Sequence, residues 1–167
     1  MAFQQSVGFM PAIGLAGNPV NPSEVIHLHY NPLSDGTVEA GKFCFAAGVE
    51  GDGEKFGFAS ATGAAGVAPL GLAVRWLVGH TLNVTAEATM SYMHGQHVTV
   101  AKRGQFYFAM PAGKVAKIGD AVYVNPTNAE VAFEKADGFV ETGWMVVGIN
   151  GRDYAEEDEV IVIENWG

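Results

Sequence analysis

Leu82-Asn83-Val84-Thr85-Ala86-Glu87-Ala88-Thr89-Met90-Ser91-Tyr92 is the run whose reading decides the fold class. Leu82, Val84, Ala86, Ala88 and Met90 fall on one side, and Asn83, Thr85, Glu87 and Thr89 on the other. Successive side chains of an extended chain point to opposite faces, so a strict period of two marks a strand with one face in a core. No segment of the chain sustains the period of 3.6 that a helix requires. Working outward, short apolar or alternating runs recur between glycines: Val25–Tyr30, Lys42–Ala46, Glu54–Ala59, Leu70–Trp76, His97–Ala101 and Gln105–Ala109. The last third adds Ala121–Val124, Glu130–Phe133, Gly143–Val147 and Glu159–Ile163. Ser60–Pro69 is rich in alanine, but Gly63, Gly66 and Pro69 make it a loop. Many short strands joined by glycine turns predict an all-β chain, a glycine-rich β-barrel or sandwich of short antiparallel strands.

The first 35 residues differ. They hold Pro11, Pro19, Pro22 and Pro32, four of the seven prolines, with Asn-Pro occurring three times. Proline removes a donor and holds its predecessor extended, so this stretch is neither a helix nor a central strand. It nevertheless carries Phe3, Val7, Phe9, Met10, Ile13 and Leu15. We therefore expect an extended N-terminal arm over 1–35, with those six apolar residues as partner-binding anchors, and a β-barrel or sandwich domain over 36–167. The alternative is a segment that packs across its own barrel.

The chain has 167 residues, enough for one domain with a real core, and 49% of them are hydrophobic. No apolar run reaches the ~18 residues that cross a bilayer. The first residues hold no basic group and no long apolar segment, so a chain made and kept in a cytoplasm is expected. The single cysteine, Cys44, has no partner for an internal disulfide, and its setting in Phe43-Cys44-Phe45 is that of a core thiol. The formal charge is -9, from 18 acidic and 9 basic residues. That charge argues against nucleic acid, whose phosphates need a cationic surface, and against anionic membranes. Charge is also uneven. Lys102, Arg103, Lys114 and Lys117 occupy 102–117 with no acid, and Asp153, Glu156, Glu157, Asp158, Glu159 and Glu164 occupy 153–164 with no base. These runs are either two solvated faces or complementary patches that pair neighbouring copies.

His27, His29, His80, His94 and His97 supply donors, and His27 and His29 share a strand face, but no cysteine pair and no H-E-x-x-H accompanies them. Ser6, Ser23, Ser34, Ser60 and Ser91 lack a nucleophile elbow. Gly48–Gly53 lacks the phosphate-loop lysine, and Glu50, Asp52 and Glu54 fall short of a calcium loop. Asn83-Val84-Thr85 fits the glycosylation pattern by chance. We expect no catalytic residues, no metal and no cofactor.

Two stretches echo each other. Ala40–Phe45, a glycine-rich excursion, Gly71–Arg75 and the strand Thr81–Met90 are followed by Ile118–Val124, an excursion, Gly143–Gly148 and the strand Val160–Ile163. The stretches Lys102-Arg103-Gly104-Gln105-Phe106-Tyr107-Phe108 and Lys114-Val115-Ala116-Lys117-Ile118-Gly119-Asp120-Ala121-Val122-Tyr123-Val124 resemble the structural cement (decoration) family of tailed bacteriophages, which sits on the outside of the head. The order of an extended arm, an Ala40-Gly41-Lys42-Phe43 opening and a closing C-terminal strand is similar to that family over most of the chain. The resemblance implies a non-enzymatic virion protein, in the host cytoplasm during assembly, that clamps adjacent major capsid protein subunits on the outer capsid surface after head expansion. It implies a homo-oligomer, a trimer before a dimer. The alternatives are a carbohydrate-binding tail or surface protein using Trp76 or Trp166, and a small β-barrel hydrolase using His94, His97 and nearby acids.

Overall fold

The computed structural model describes residues 14–48, 57–75, 91–149, 155 and 159–167. The alternating run Leu82–Met90 and the acids Glu50, Asp52 and Glu54 lie outside the described residues, as do His80 and Trp76. The strands are β1 (Ile26–His27), β2 (Leu33–Ser34), β3 (Phe43–Ala47), β4 (Phe58–Ser60) and β5 (Gly71–Ala73). They continue as β6 (Val100–Ala109), β7 (Ala121–Val124), β8 (Val131–Ala132), β9 (Val140–Gly148) and β10 (Val160–Asn165). Among the described residues there is no α-helix, only a single 3-10 turn at Pro22–Glu24 that Asn21 caps through its side chain. Ser60–Pro69 is a loop apart from its first residue, which ends β4.

The ten strands form one mostly antiparallel sheet in the order β2-β4-β3-β5-β6-β10-β9-β7-β8, with β1 added to β6. The β2–β4 pair is parallel. The order is a palindrome about the β6–β10 pair: β4-β3-β5-β6 on one side is matched by β8-β7-β9-β10 on the other. The sequence echo thus has a topological counterpart, with one change. The strand that completes the first copy by pairing with β5 is β6, reached after the Thr81–Met90 stretch. The sheet does not close into a barrel; it folds over as a sandwich. Its two far ends meet where the Gly63 amide donates to the Pro126 carbonyl at 2.7 Å.

Register decides what is inside. Phe106, Ile163 and Val146 stand opposite one another across β6, β10 and β9 and are fully buried. One residue along, Gln105, Glu164, Met145 and Ala121 form the outward row across β6, β10, β9 and β7. The main core gathers Phe43, Phe45, Leu72, Phe106 and Phe108 from the first half-sheet and Trp144 and Ile163 from the second. Trp144 meets Phe43 and Phe106 with ring centroids 6.3 and 5.8 Å apart, both edge-on, and Phe43 also touches Phe108.

The first half-sheet is buried on both faces. Phe43 and Phe45 enter the main core, while Cys44 between them enters a second cluster with Val38, Ala73, Tyr92, Val98 and Val100. That double burial is why Phe43–Phe45 reads as unbroken apolar sequence. The Tyr92 hydroxyl donates to the Val74 carbonyl, and the Ser34 hydroxyl donates to the Tyr92 carbonyl at 3.1 Å. Cys44 is the core thiol expected from its neighbours, with Sγ 3.7 Å from the Gly71 carbonyl.

Burial pushes the Cys44 thiol up from 9.0 to about 12. Burial, with repulsion from Cys44, pushes the Tyr92 hydroxyl up from 10.0 to about 12. Both groups therefore keep their protons when folded at pH values where the unfolded chain has lost them. Their contribution to stability is complete below about pH 9, where neither state is ionised, and is lost as pH rises toward about 12. Denaturant midpoints measured across that window are expected to fall with pH, and Cys44→Ala is expected to reduce the slope. The native thiol is expected to resist labelling until the chain unfolds.

Candidate functional site

Among the described residues, no three His, Cys, Asp or Glu side chains are grouped to hold a metal. His94 stacks tilted against Phe58 with centroids 5.6 Å apart. The His97 Nδ1 lies 3.1 Å from the Asn31 carbonyl. His29 packs edge-on against Tyr30. Trp166 is exposed, and its Nε1 donates to Glu164 at 3.0 Å. No helix among the described residues is long and apolar enough to cross a membrane.

Of the six apolar anchors expected in the N-terminal segment, Phe3, Val7, Phe9, Met10 and Ile13 lie outside the described residues. Leu15 is 55% exposed. Its position is held by the backbone on either side. Gly14 lies against the Tyr107 ring so closely that a Cβ there would stand 2.2 Å from ring carbons. The Gly17 amide donates to the Tyr107 carbonyl at 2.8 Å, the Tyr107 amide to the Asn18 carbonyl at 3.0 Å, and the Val20 amide to the Gln105 carbonyl at 2.9 Å. Residues 17–20 thus add an edge segment to β6, and Pro19 sits where no ladder donor is required. Gly17 and Gly41 pack backbone to backbone, with a Cβ on either meeting the other segment at under 3.0 Å. The same segment continues into β1, where the Leu28 amide donates to the Val100 carbonyl. Leu15, Val20 and Ile26 all turn apolar side chains outward along this run.

Beside the root of the segment lies an apolar groove of about 410 Å³, lined by Ala16, Gly41, Phe43, Phe108, Met110 and Val131 among others. Its rim carries two ion pairs, Lys42 to Glu39 at 2.6 Å and Lys114 to Glu130 at 2.9 Å. The hydrogen bond and charge of Lys114 hold the Glu130 carboxyl below its ordinary range. Exposed pairs of this kind contribute little to stability.

The basic run of 102–117 does not form one patch. β6 rises ~3.3 Å per residue, so Lys102 and Arg103 stand roughly 20 Å from its far end. Lys114 and Lys117 lie beyond that far end, on the segment where Ala116 pairs with Ala155. Lys102 and Arg103 line a separate cleft of about 480 Å³ with Ile26, His27, His29 and Tyr30. Burial lowers the pKa of His27, so the positive charge of this cleft at neutral pH rests on Lys102 and Arg103.

One surface escaped the sequence reading. Ile118, in the turn before β7, and Met145, on the outward side of β9, are exposed at 62% and 44%. The available signal was Met145 itself, an apolar residue where the alternation of Trp144 and Val146 calls for a polar one.

No curated protein matches the sequence. A solved structure described as the capsid of Myoviridae phage XM1 contains a chain that superposes with a TM-score of 0.61 at 15% identity. The match covers 98% of this chain and 97% of that one, and at such identity it speaks for the shared fold. The family described as XM1 gp53 minor capsid protein matches residues 3–165. A family match across nearly the whole length, joined to the folded-over β-sheet and the resemblance to phage head proteins, shows that this phage capsid-associated chain belongs to the XM1 gp53 minor capsid protein family.

Proposed function

We propose that this protein sits on the outer surface of a tailed-phage head and stabilises contacts between major capsid protein subunits. The carrying observation is the tethered segment at 14–28, whose backbone is bonded along β6 while Leu15, Val20 and Ile26 face outward. A fixed root lets the apolar residues before it engage a neighbouring surface without the whole body having to reorient. In this reading 1–35 is the reaching arm, 36–167 is the body, and Phe3, Val7, Phe9, Met10, Ile13 and Leu15 are the anchors. Aromatic side chains seated in a partner pocket supply most of the energy of such contacts.

The role is non-enzymatic and needs no cofactor, nucleic acid or membrane. The protein acts as a homo-oligomer, a trimer before a dimer, made in the host cytoplasm and carried on the virion. Packed genome pushes outward on a thin shell, and a clip across adjacent subunits adds interface where the shell parts. Modest affinity per copy suffices, because linked copies bind with avidity.

The test is binding of purified protein to expanded empty heads, full length against a form lacking residues 1–15. Saturable binding by the full-length chain, weakened at least ~100-fold by the truncation, is expected. Equal binding by both forms overturns the arm as anchor. Absence of binding by either overturns the head-surface role.

A further inference from the structure

Arg75 follows β5 and stands where the N-terminal segment crosses the sheet. Its amide donates to the Gly17 carbonyl at 2.9 Å. A Cβ on Gly17 would stand 3.1 Å from the Arg75 Cβ, and Gly17 packs in turn against Gly41. Arg75 therefore belongs to the fixed root beside which Leu15 is exposed. Its guanidinium is left without a counterpart there. The Nε is shut off from solvent and has no hydrogen-bond partner, the one such side-chain atom among the described residues. The residue as a whole is half-buried, so the cation is neither fully hydrated nor paired. No ion pair among the described residues includes it. Glu39, two residues from Gly41, pairs with Lys42 at 2.6 Å, and Glu130 pairs with Lys114.

A buried donor without an acceptor costs stability, and more so on a charged group. Arginine cannot escape that cost by releasing its proton. An uncharged side chain with a similar stem covers Gly17 equally well, so packing alone does not explain a cation at this position. A counter-charge that arrives from outside does. The terminal nitrogens of a guanidinium form a planar fork that holds a carboxylate through two parallel hydrogen bonds. The carboxylate's charge then offsets the desolvation that the lone cation suffers.

We infer that Arg75 receives a carboxylate side chain from the protein surface on which the N-terminal arm docks. The inference rests on the reading of this chain as a head-surface protein and adds the chemistry of the partner: an acidic side chain beside an apolar pocket, the one for Arg75 and the other for Leu15 and its neighbours. An apolar anchor next to an arginine is the combination that carries most of the energy in protein interfaces. The net charge of -9 repels an acidic surface taken as a whole, so a lone cation at the root selects a carboxylate at one position. That carboxylate has two sources, a capsid subunit or a second copy of this acid-rich chain.

The experiment compares the full chain with its Arg75→Met variant, which keeps the stem and removes the charge. Thermal melting, sedimentation and binding to expanded empty heads are measured on both. The variant is expected to melt at or above wild type, because an unpaired, partly buried cation is gone. It is expected to lose binding at least ~10-fold. Loss confined to head binding places the carboxylate on a capsid subunit; loss of self-association places it on a second copy. A variant that melts well below wild type makes Arg75 a structural residue and overturns the inference. A variant that binds heads and associates like wild type also overturns it, and the head reading survives both results. A wild type that associates through Arg75 but ignores heads overturns the head reading alone, and one that does neither overturns both.

Discussion

Gly71→Ala is expected to lower stability by about 3–5 kcal/mol, a drop of roughly 10 °C in melting temperature. Gly71 opens β5 and stands opposite Cys44 of β3. A Cβ built there lies 2.2 Å from the Ala101 carbonyl oxygen and 2.9 Å from a Val100 methyl. The nearest obstacle is backbone of β6, so no rotamer change relieves it. Its φ of 152° is also one that side chains rarely adopt. Relief requires β5 to part from β6, in the half-sheet that is buried on both faces. Gly48→Ala is the control, since nothing lies within 4 Å of a Cβ at that position. Thermal melts of both variants check the expectation: near-neutral behaviour at Gly48 and a large loss at Gly71.

Trp144→Ala is expected to cost about 3–5 kcal/mol. Trp144, on β9, is buried where the two half-sheets face each other, and its ring contacts Phe43 of β3 and Phe106 of β6 in the opposite half. Truncation empties the place where those aromatics converge, and the strands around it cannot all collapse inward. Trp166→Ala, at an exposed position near the C-terminus, is expected to change stability by no more than about 0.5 kcal/mol. Denaturant titration measures both, and loss of the buried tryptophan's blue-shifted emission reports Trp144 directly.

These positions show what the sequence disclosed. Ala121–Val124 was read as a strand with the same bounds that β7 has, because Gly119-Asp120 and Asn125-Pro126 punctuate it on both sides. The run around Phe43–Phe45 and the closing strand before Trp166 were legible for the same reason. Two other readings needed correction. His97–Ala101 and Gln105–Ala109 were expected as separate strands, but β6 runs from Val100 through Gly104 without ending. Gly104 has a φ of 126° and packs against Phe106 and Val25, so here glycine marks a twist within a strand and not its end. Val25–Tyr30 was expected as one alternating strand, yet only Ile26–His27 pairs, with a shift of register between them. Local alternation does not reveal where a partner strand runs out.

The candidate surface was legible in part. The apolar character of 1–15 was visible in sequence, and Leu15 is exposed beside a fixed backbone root. The hydrogen bonds that make this root depend on pairing between residues 17–20 and 105–107, some 90 positions apart, which no local pattern encodes. The charge pattern misled. Four cations close in sequence read as one patch, but a ten-residue strand separates Lys102 and Arg103 from Lys114 and Lys117. Extended chain converts sequence neighbours into distant groups.

The central claim is that this protein reinforces a phage head from outside. The measurement that tests it most directly is the thermal rupture temperature of expanded empty heads, titrated with purified protein. The account predicts a rise that saturates with occupancy and disappears when residues 1–15 are removed. Heads that bind the protein to saturation and rupture at an unchanged temperature would contradict it.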